Sequence, residues 1–194
     1  KKTANEFLTK CINKEFSVTS IEKKPGKKTP SAPFTTSTLQ QAAGGRLGFA
    51  VDRTMKAAQK LYEGGHISYM RTDSVILSED AIKAISSEIK SKYGDKYLMN
   101  RVFKSKAKNA QEAHEAIRPT HMENMTAGND SDEQRLYELI WKRSIASQMS
   151  DAQLERTNVK IEANNHKEIF GATGEVIKFE GFLKVYLEGH DEED

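Results

Sequence analysis

The chain has 194 residues, 37% of them hydrophobic, and a formal net charge of +2, which suits one or two domains with real cores and excludes a strong polycation. One cysteine, Cys11, excludes an internal disulfide framework and a Cys-rich zinc site. No apolar run reaches the ~20 residues of a membrane span and no signal peptide opens the chain, so the expectation is a cytoplasmic protein with no membrane partner.

Charge is uneven. Lys23, Lys24, Lys27 and Lys28 cluster early, Arg101, Lys104, Lys106 and Lys108 in the middle, and "EGHDEED" closes the chain. Such basic runs are either solvated loops or a surface facing a polyanion. In chain order, "EFSVTSIE" alternates and reads as a strand. "KKPGKKTPSAP", with its prolines and glycine, reads as a turn or linker. "TTSTLQQAAG" reads as a helix with candidate caps at Thr35 to Ser37 and a stop at Gly44. In "RLGFAVDRTMKAAQKLYEGG", Leu47, Val51, Met55, Ala58, Leu61 and Tyr62 recur along one helical face, and Gly64 and Gly65 end it. "HISYM" reads as a short strand.

Ser78 opens the next helix. Glu79 and Asp80 suit its positive end, Leu77 and Ile82 have staple spacing, and Ile82, Ile85 and Ile89 form the buried face. A further helix starts near Ser131, where Ser131 and Gln134 have capping-box spacing, with Leu136, Leu139, Ile140, Ile145 and Met149 on its core side. After about residue 152, "TNVKIEA", "KEIFGATG" and "EVIKFEGFLKVYL" read as strands. The expected fold is α+β. Residues 1–34 and 152–194 would form one β domain from both chain ends, around an inserted, mainly helical domain at 35–151.

"GGHISYMRTDS" carries the chemistry. A free tyrosine has a pKa near ~10 and is a poor nucleophile at neutral pH. A cation that stabilises the phenolate and a phosphoryl group under attack improves it. In a strand, Tyr69 and Arg71 would project to one face together with Ile67, and a guanidinium can hold a phosphate by two parallel bonds. On spacing alone, most such triplets are half-exposed strand residues. "HEAIRPT" does not place two histidines on one helical face, so a zinc site of the HExxH kind is rejected. No Asp-x-Asp pair with strand context occurs either.

Taken together, "PFTTSTLQQAA", "GGHISYMRTDS" and "QEAHEAIRPT", in that order, closely resemble the type IA DNA topoisomerases. "RLGFAVDRTMKAAQKLYEGG" and "YELIWKRSIASQMSDAQLERT" fit as well, so the resemblance covers nearly the whole chain. It implies an isomerase acting on single-stranded or negatively supercoiled DNA through a transient 5′-phosphotyrosine link. By that resemblance Tyr69 is the nucleophile and Arg71 positions the scissile phosphate. Glu63, Thr72 and Asp73 support the tyrosine, while His114 and Phe49 approach the DNA. Read without the resemblance, Glu63, Thr72 and Asp73 are polar groups at a helix end and a turn, His114 is a structural histidine, and Phe49 is core. Ser68 stands where relatives often have threonine, and the hydroxyl is kept.

The resemblance also implies Mg²⁺ held by an acidic cluster in another domain, with none in this fragment, and the remaining domains of the same polypeptide as partners. The fragment alone is expected to be inactive, and the setting to be the bacterial nucleoid. It implies an arch-shaped β domain and a winged-helix-like insert. A non-catalytic winged-helix-like DNA-binding module is the alternative, and it predicts no covalent adduct.

Overall fold

The computed structural model describes residues 2–104, 115–163 and 169–186. They form two compact units, one from residues up to 28 together with 153–179, the other from the described residues of 29–152 and those from 180 onward. The fold is mixed α and β.

The first unit contains α1 (Lys2–Lys10), β1 (Phe16–Lys28), β2 (Ala152–Ala163) and β3 (Ile169–Phe179). Its sheet has the order β1-β2-β3. β2 and β3 run antiparallel, from Gln153 opposite Phe179 to Glu162 opposite Ile169, with an irregularity at Gln153/Leu154. Helix α1 is not evident from the sequence pattern; its Phe7 ring meets Phe170 at 5.3 Å, and Phe16 meets the same ring at 5.6 Å. Residues 29–33 lie outside any strand, but β1 continues to Lys28, through the first part of the segment read as a turn or linker. It is an edge strand, where the missing N–H of Pro25 breaks no central ladder. Side chains of β1 and β3 are largely exposed, and charges meet across the strands, as in Lys23–Glu155 and Lys178–Glu155. Exposed pairs of this kind contribute little.

The second unit is built on α5 (Ser131–Ser147), which buries Leu136, Tyr137, Leu139, Ile140, Trp141 and Ile145. α2 (Thr36–Leu47), α3 (Val51–Glu63) and α4 (Glu79–Tyr93) all pack against it. Two of its large buried polar side chains find partners in loop carbonyls: the Trp141 indole donates to the Met122 carbonyl at 2.8 Å and the Tyr137 hydroxyl to that of Asn124 at 2.7 Å. Burial pushes the Tyr137 phenol up to about 12.

Several local expectations need correction. α2 passes Gly44 and ends at Gly48, whose φ of 68° is the left-handed cap that glycine adopts without strain. α3 buries Thr54, Ala57, Ala58 and Leu61, while Val51 and Tyr62 are exposed, because the break at Gly48 sets the helix phase afresh. The α5 cap is Asp130, not Ser131: its carboxylate accepts from the N–H groups of Asp132 and Glu133. Ser78 caps α4 as expected, but Ala81, Ile85 and Ile89 are its buried residues and Ile82 is only half-buried. β3 stops at Phe179, and Gly181–Lys184 is a 3-10 turn that buries Phe182 and Leu183. "HISYM" is no strand. It contributes one isolated bridge, Ile67 to Pro119.

Candidate active site

Three separated segments meet in the second unit: 34–36 at the start of α2, 65–76 after α3, and 115–120. Ile117 N–H donates to the Phe34 carbonyl at 2.8 Å, and Ala116 N–H to that of Ile76 at 2.8 Å. Ser68 N–H donates to the Arg118 carbonyl at 2.8 Å, and Thr120 N–H to that of His66 at 3.0 Å. The Ser68 hydroxyl donates to the Ala116 carbonyl at 2.7 Å and accepts from Arg118 N–H at 2.9 Å. The hydroxyl at position 68 therefore serves as both donor and acceptor.

Glu115 completes the lacing. Its carboxylate accepts from Ser78 N–H at 2.7 Å and from the Arg118 guanidinium at 2.7 and 3.1 Å. Burial opposes ionisation of this carboxyl, but the bonds from Ser78 and Arg118 outweigh it and hold the pKa below the usual value.

From Tyr69 to Ser74 burial alternates strictly: Tyr69, Arg71 and Asp73 are exposed, while Met70, Thr72 and Ser74 are buried. The period is that of a strand, but hydrogen bonds to Thr36 replace the ladder. The Thr36 hydroxyl donates to the Met70 carbonyl at 2.7 Å and accepts from Thr72 N–H at 2.9 Å. Thr36 N–H donates to the Thr72 carbonyl at 2.9 Å. Ile67 departs from the expected common face: it is buried, and the chain bends at Ser68 before Tyr69 emerges.

Tyr69 is 46% exposed, and its ring meets Tyr62 edge-on at 5.2 Å. Arg71 lines a shallow hollow with Thr36, Ser37, Thr72 and Asp73. Thr36 and Ser37 are the first residues of α2, so the positive end of that helix and a guanidinium share the hollow. Glu63, the last residue of α3, is exposed and accepts from the Gln59 amide at 2.6 Å. Thr72 is buried, and its hydroxyl accepts from Ser74 N–H at 3.1 Å. Phe49 is 3% exposed; the guanidinium groups of Arg53 and Arg135 lie over its ring at 4.3 and 5.1 Å. His114 lies outside the described residues. In the sequence pattern Thr36 reads only as a possible cap and Tyr62 only as a helix-face residue. Their partners lie 36 and 7 residues away, beyond any local pattern.

The family sequence model described as DNA topoisomerase matches residues 1–194. The chain belongs to the type IA DNA topoisomerases. It is 44% identical, over 97% of its own length, to a relative named DNA topoisomerase 1 type prokaryotic from Acanthamoeba polyphaga mimivirus, and covers 23% of that protein. It is 46% identical to DNA topoisomerase 1 of Rickettsia bellii, covering 99% of this chain and 26% of the relative. The solved structure of full-length topoisomerase I from Thermotoga maritima superposes with a TM-score of 0.80 at 38% identity, over 94% of this chain and 31% of that one. The chain thus spans about a quarter of the length of the curated relatives it matches. This membership displaces a DNA-binding module of unrelated kind. Among the described residues, no helix is long and apolar enough to cross a membrane, and no group of three or more His, Cys, Asp or Glu is arranged to hold a metal ion.

Proposed function

We propose that this chain is the tyrosine-bearing part of a type IA topoisomerase and that Tyr69 is the nucleophile. The observation that carries this reading is an exposed phenol on a loop pinned at both neighbouring residues, two positions before an arginine that lines a hollow at the start of α2. The phenolic oxygen of Tyr69 attacks the phosphorus of one DNA strand. The bond from phosphorus to the 3′ oxygen breaks, one proton leaves the phenol, and one is taken up by the 3′ oxygen. Another strand passes, and reversal of the same step reseals the break. Arg71 and the N-terminus of α2 are suited to hold the phosphate, the guanidinium by paired N–H groups and the helix by its positive end.

Asp73 and Glu63 act around the tyrosine as exposed carboxylates, and Thr72 acts through the backbone it braces. The DNA contact of His114 rests on the resemblance alone. Phe49 is buried beneath the guanidinium groups of Arg53 and Arg135, and Arg53 is itself paired with Asp132, so a DNA contact here would have to involve those groups and not the bare ring. The substrate is single-stranded or negatively supercoiled DNA in the bacterial cytoplasm, and the remaining domains of the same polypeptide complete the enzyme. No group of carboxylates among the described residues fits a Mg²⁺ site, and no step here runs through that ion. The division expected at 1–34 and 152–194 for an arch β domain, with a winged-helix-like insert between, is supported by a sheet drawn from both chain ends, although 29–34 and 180–186 group with the helical unit.

The test is adduct formation by the complete enzyme on a labelled oligonucleotide, read on denaturing gels. The expected order is wild type, then Arg71→Lys, then Tyr69→Phe with none. Lysine keeps the charge but loses the planar fork. An adduct that survives in Tyr69→Phe contradicts the proposal.

A further inference from the structure

The bonds that pin the tyrosine loop act on backbone, not on the nucleophile's side chain. Ser68 is held by the 116–118 segment and the Met70 carbonyl by Thr36, so the Cα of Tyr69 is fixed between them. Rotation about χ1 remains open, with three staggered wells. Among the described residues, no hydrogen bond to the Tyr69 hydroxyl is found and one ring meets the Tyr69 ring, that of Tyr62, at 5.2 Å and 65°. This edge-to-face geometry is favoured by the ring quadrupoles.

The backbone that carries Tyr62 is fixed. It stands in the last turn of α3, next to the wholly buried Leu61. Its carbonyl accepts from Gly65 N–H at 2.9 Å, and the Leu61 carbonyl from His66 N–H at 2.8 Å, closing the helix end. Gly65, at φ 74°, takes the left-handed turn that sends the chain back so that residues 62 and 69 meet. Yet Tyr62 itself is 41% exposed, so its ring is not held there by core packing.

We propose that Tyr62 is a positioning residue. Its ring selects the Tyr69 rotamer in which the hydroxyl stands ready for the phosphate. In-line attack needs the reacting atoms within about 3–3.5 Å, and the wrong χ1 well removes the hydroxyl from that range altogether. The proposal rests on Tyr69 being the nucleophile.

The test uses the complete enzyme, with Tyr62→Leu, Tyr62→Phe and Tyr69→Phe. Single-turnover cleavage and binding are measured on one labelled single-stranded oligonucleotide. Tyr62→Leu should lower the cleavage rate roughly tenfold while leaving the dissociation constant within about twofold and the melting temperature unchanged. Tyr62→Phe keeps the ring and should restore the rate to within about twofold. With ring-¹³C tyrosine, the Tyr69 resonance, assigned by its loss in Tyr69→Phe, should move in Tyr62→Leu and hold in Tyr62→Phe. A wild-type rate in Tyr62→Leu, a rate loss that tracks a lower melting temperature or weaker binding, or an equal loss in Tyr62→Phe would each overturn the inference. These outcomes leave the nucleophile assignment standing as long as Tyr69→Phe forms no adduct. An adduct in Tyr69→Phe overturns that assignment itself.

Discussion

Thr36 and Thr72 hold each other by two reciprocal bonds: Thr36 N–H donates to the Thr72 carbonyl at 2.9 Å, and Thr72 N–H donates to the Thr36 hydroxyl at 2.9 Å. With the further bond from that hydroxyl to the Met70 carbonyl, one threonine at the start of α2 sets the course of the chain immediately after Tyr69. The neighbour Thr35 caps the same helix through a capping box with Thr38. The run "PFTTST" therefore couples a helix start to the exposed tyrosine, and the fold becomes part of the site.

Thr36→Val keeps the shape but leaves the Met70 carbonyl and the Thr72 N–H without that partner. The expected loss is about 1–2 kcal/mol, at the lower part of the range for an unmade bond because the site is partly exposed. Denaturant unfolding of this chain measures it, with Thr36→Ser as the control that retains the hydroxyl. In the complete enzyme, Thr36→Val should also slow adduct formation, since the loop after the nucleophile is no longer pinned. Equal stability of the valine and serine variants would contradict the bracing role.

Asp130 gives a pH signature. The bond from Lys60 and the N–H groups of Glu133 and Asp132 hold its carboxyl at about 2, against an ordinary 3.8. A depressed carboxyl stabilises the fold fully above the unfolded value, and that contribution is lost as pH falls through the folded one. The window is therefore from about pH 4 down to about pH 2. Asp130→Asn keeps a capping side chain but removes the titration. Its acid-unfolding curve should be flatter across that window than the wild type's, and superimposable curves would contradict the assignment.

Binding of this chain to single-stranded DNA should be weak and salt-dependent. A net charge of +2 permits only local phosphate contacts. Neutralising ~3 phosphates gives a slope of about −2 in the log–log salt plot. Fluorescence anisotropy with a labelled oligonucleotide over a salt series reads the slope. Tight binding indifferent to salt would contradict the picture.

What the sequence made legible was local. Ser78 with Glu79 and Asp80 announces a helix start because a cap and its partners lie within one turn. The three-and-four spacing from Leu136 to Ile145 announces a core helix for the same reason. Exposure of Tyr69 and Arg71 also follows from alternation. The strand assignment around Tyr69 failed because alternate burial needs only a surface to sink into; here Thr36, with the segment 116–120 at Ser68 and before, supplies it instead of a ladder. The linker assignment at Pro25 failed because position within the sheet, not the residue, decides whether proline is tolerated. Asp130 displaced Ser131 as the α5 cap because its carboxylate also reaches Lys60, 70 residues earlier in the chain. The Tyr62–Tyr69 contact depends on a glycine turn whose φ no spacing rule gives.

The most direct measurement is the identity of the residue that carries the nucleotide. The complete enzyme is trapped on an oligonucleotide, digested with trypsin and nuclease, and the adduct peptide is fragmented in the mass spectrometer. Cleavage after Lys60 and Arg71 yields "LYEGGHISYMR", which contains both Tyr62 and Tyr69. The phosphonucleotide should be found on Tyr69, with Tyr62 unmodified. A nucleotide on Tyr62, or on any peptide outside this one, would contradict Tyr69 as the nucleophile.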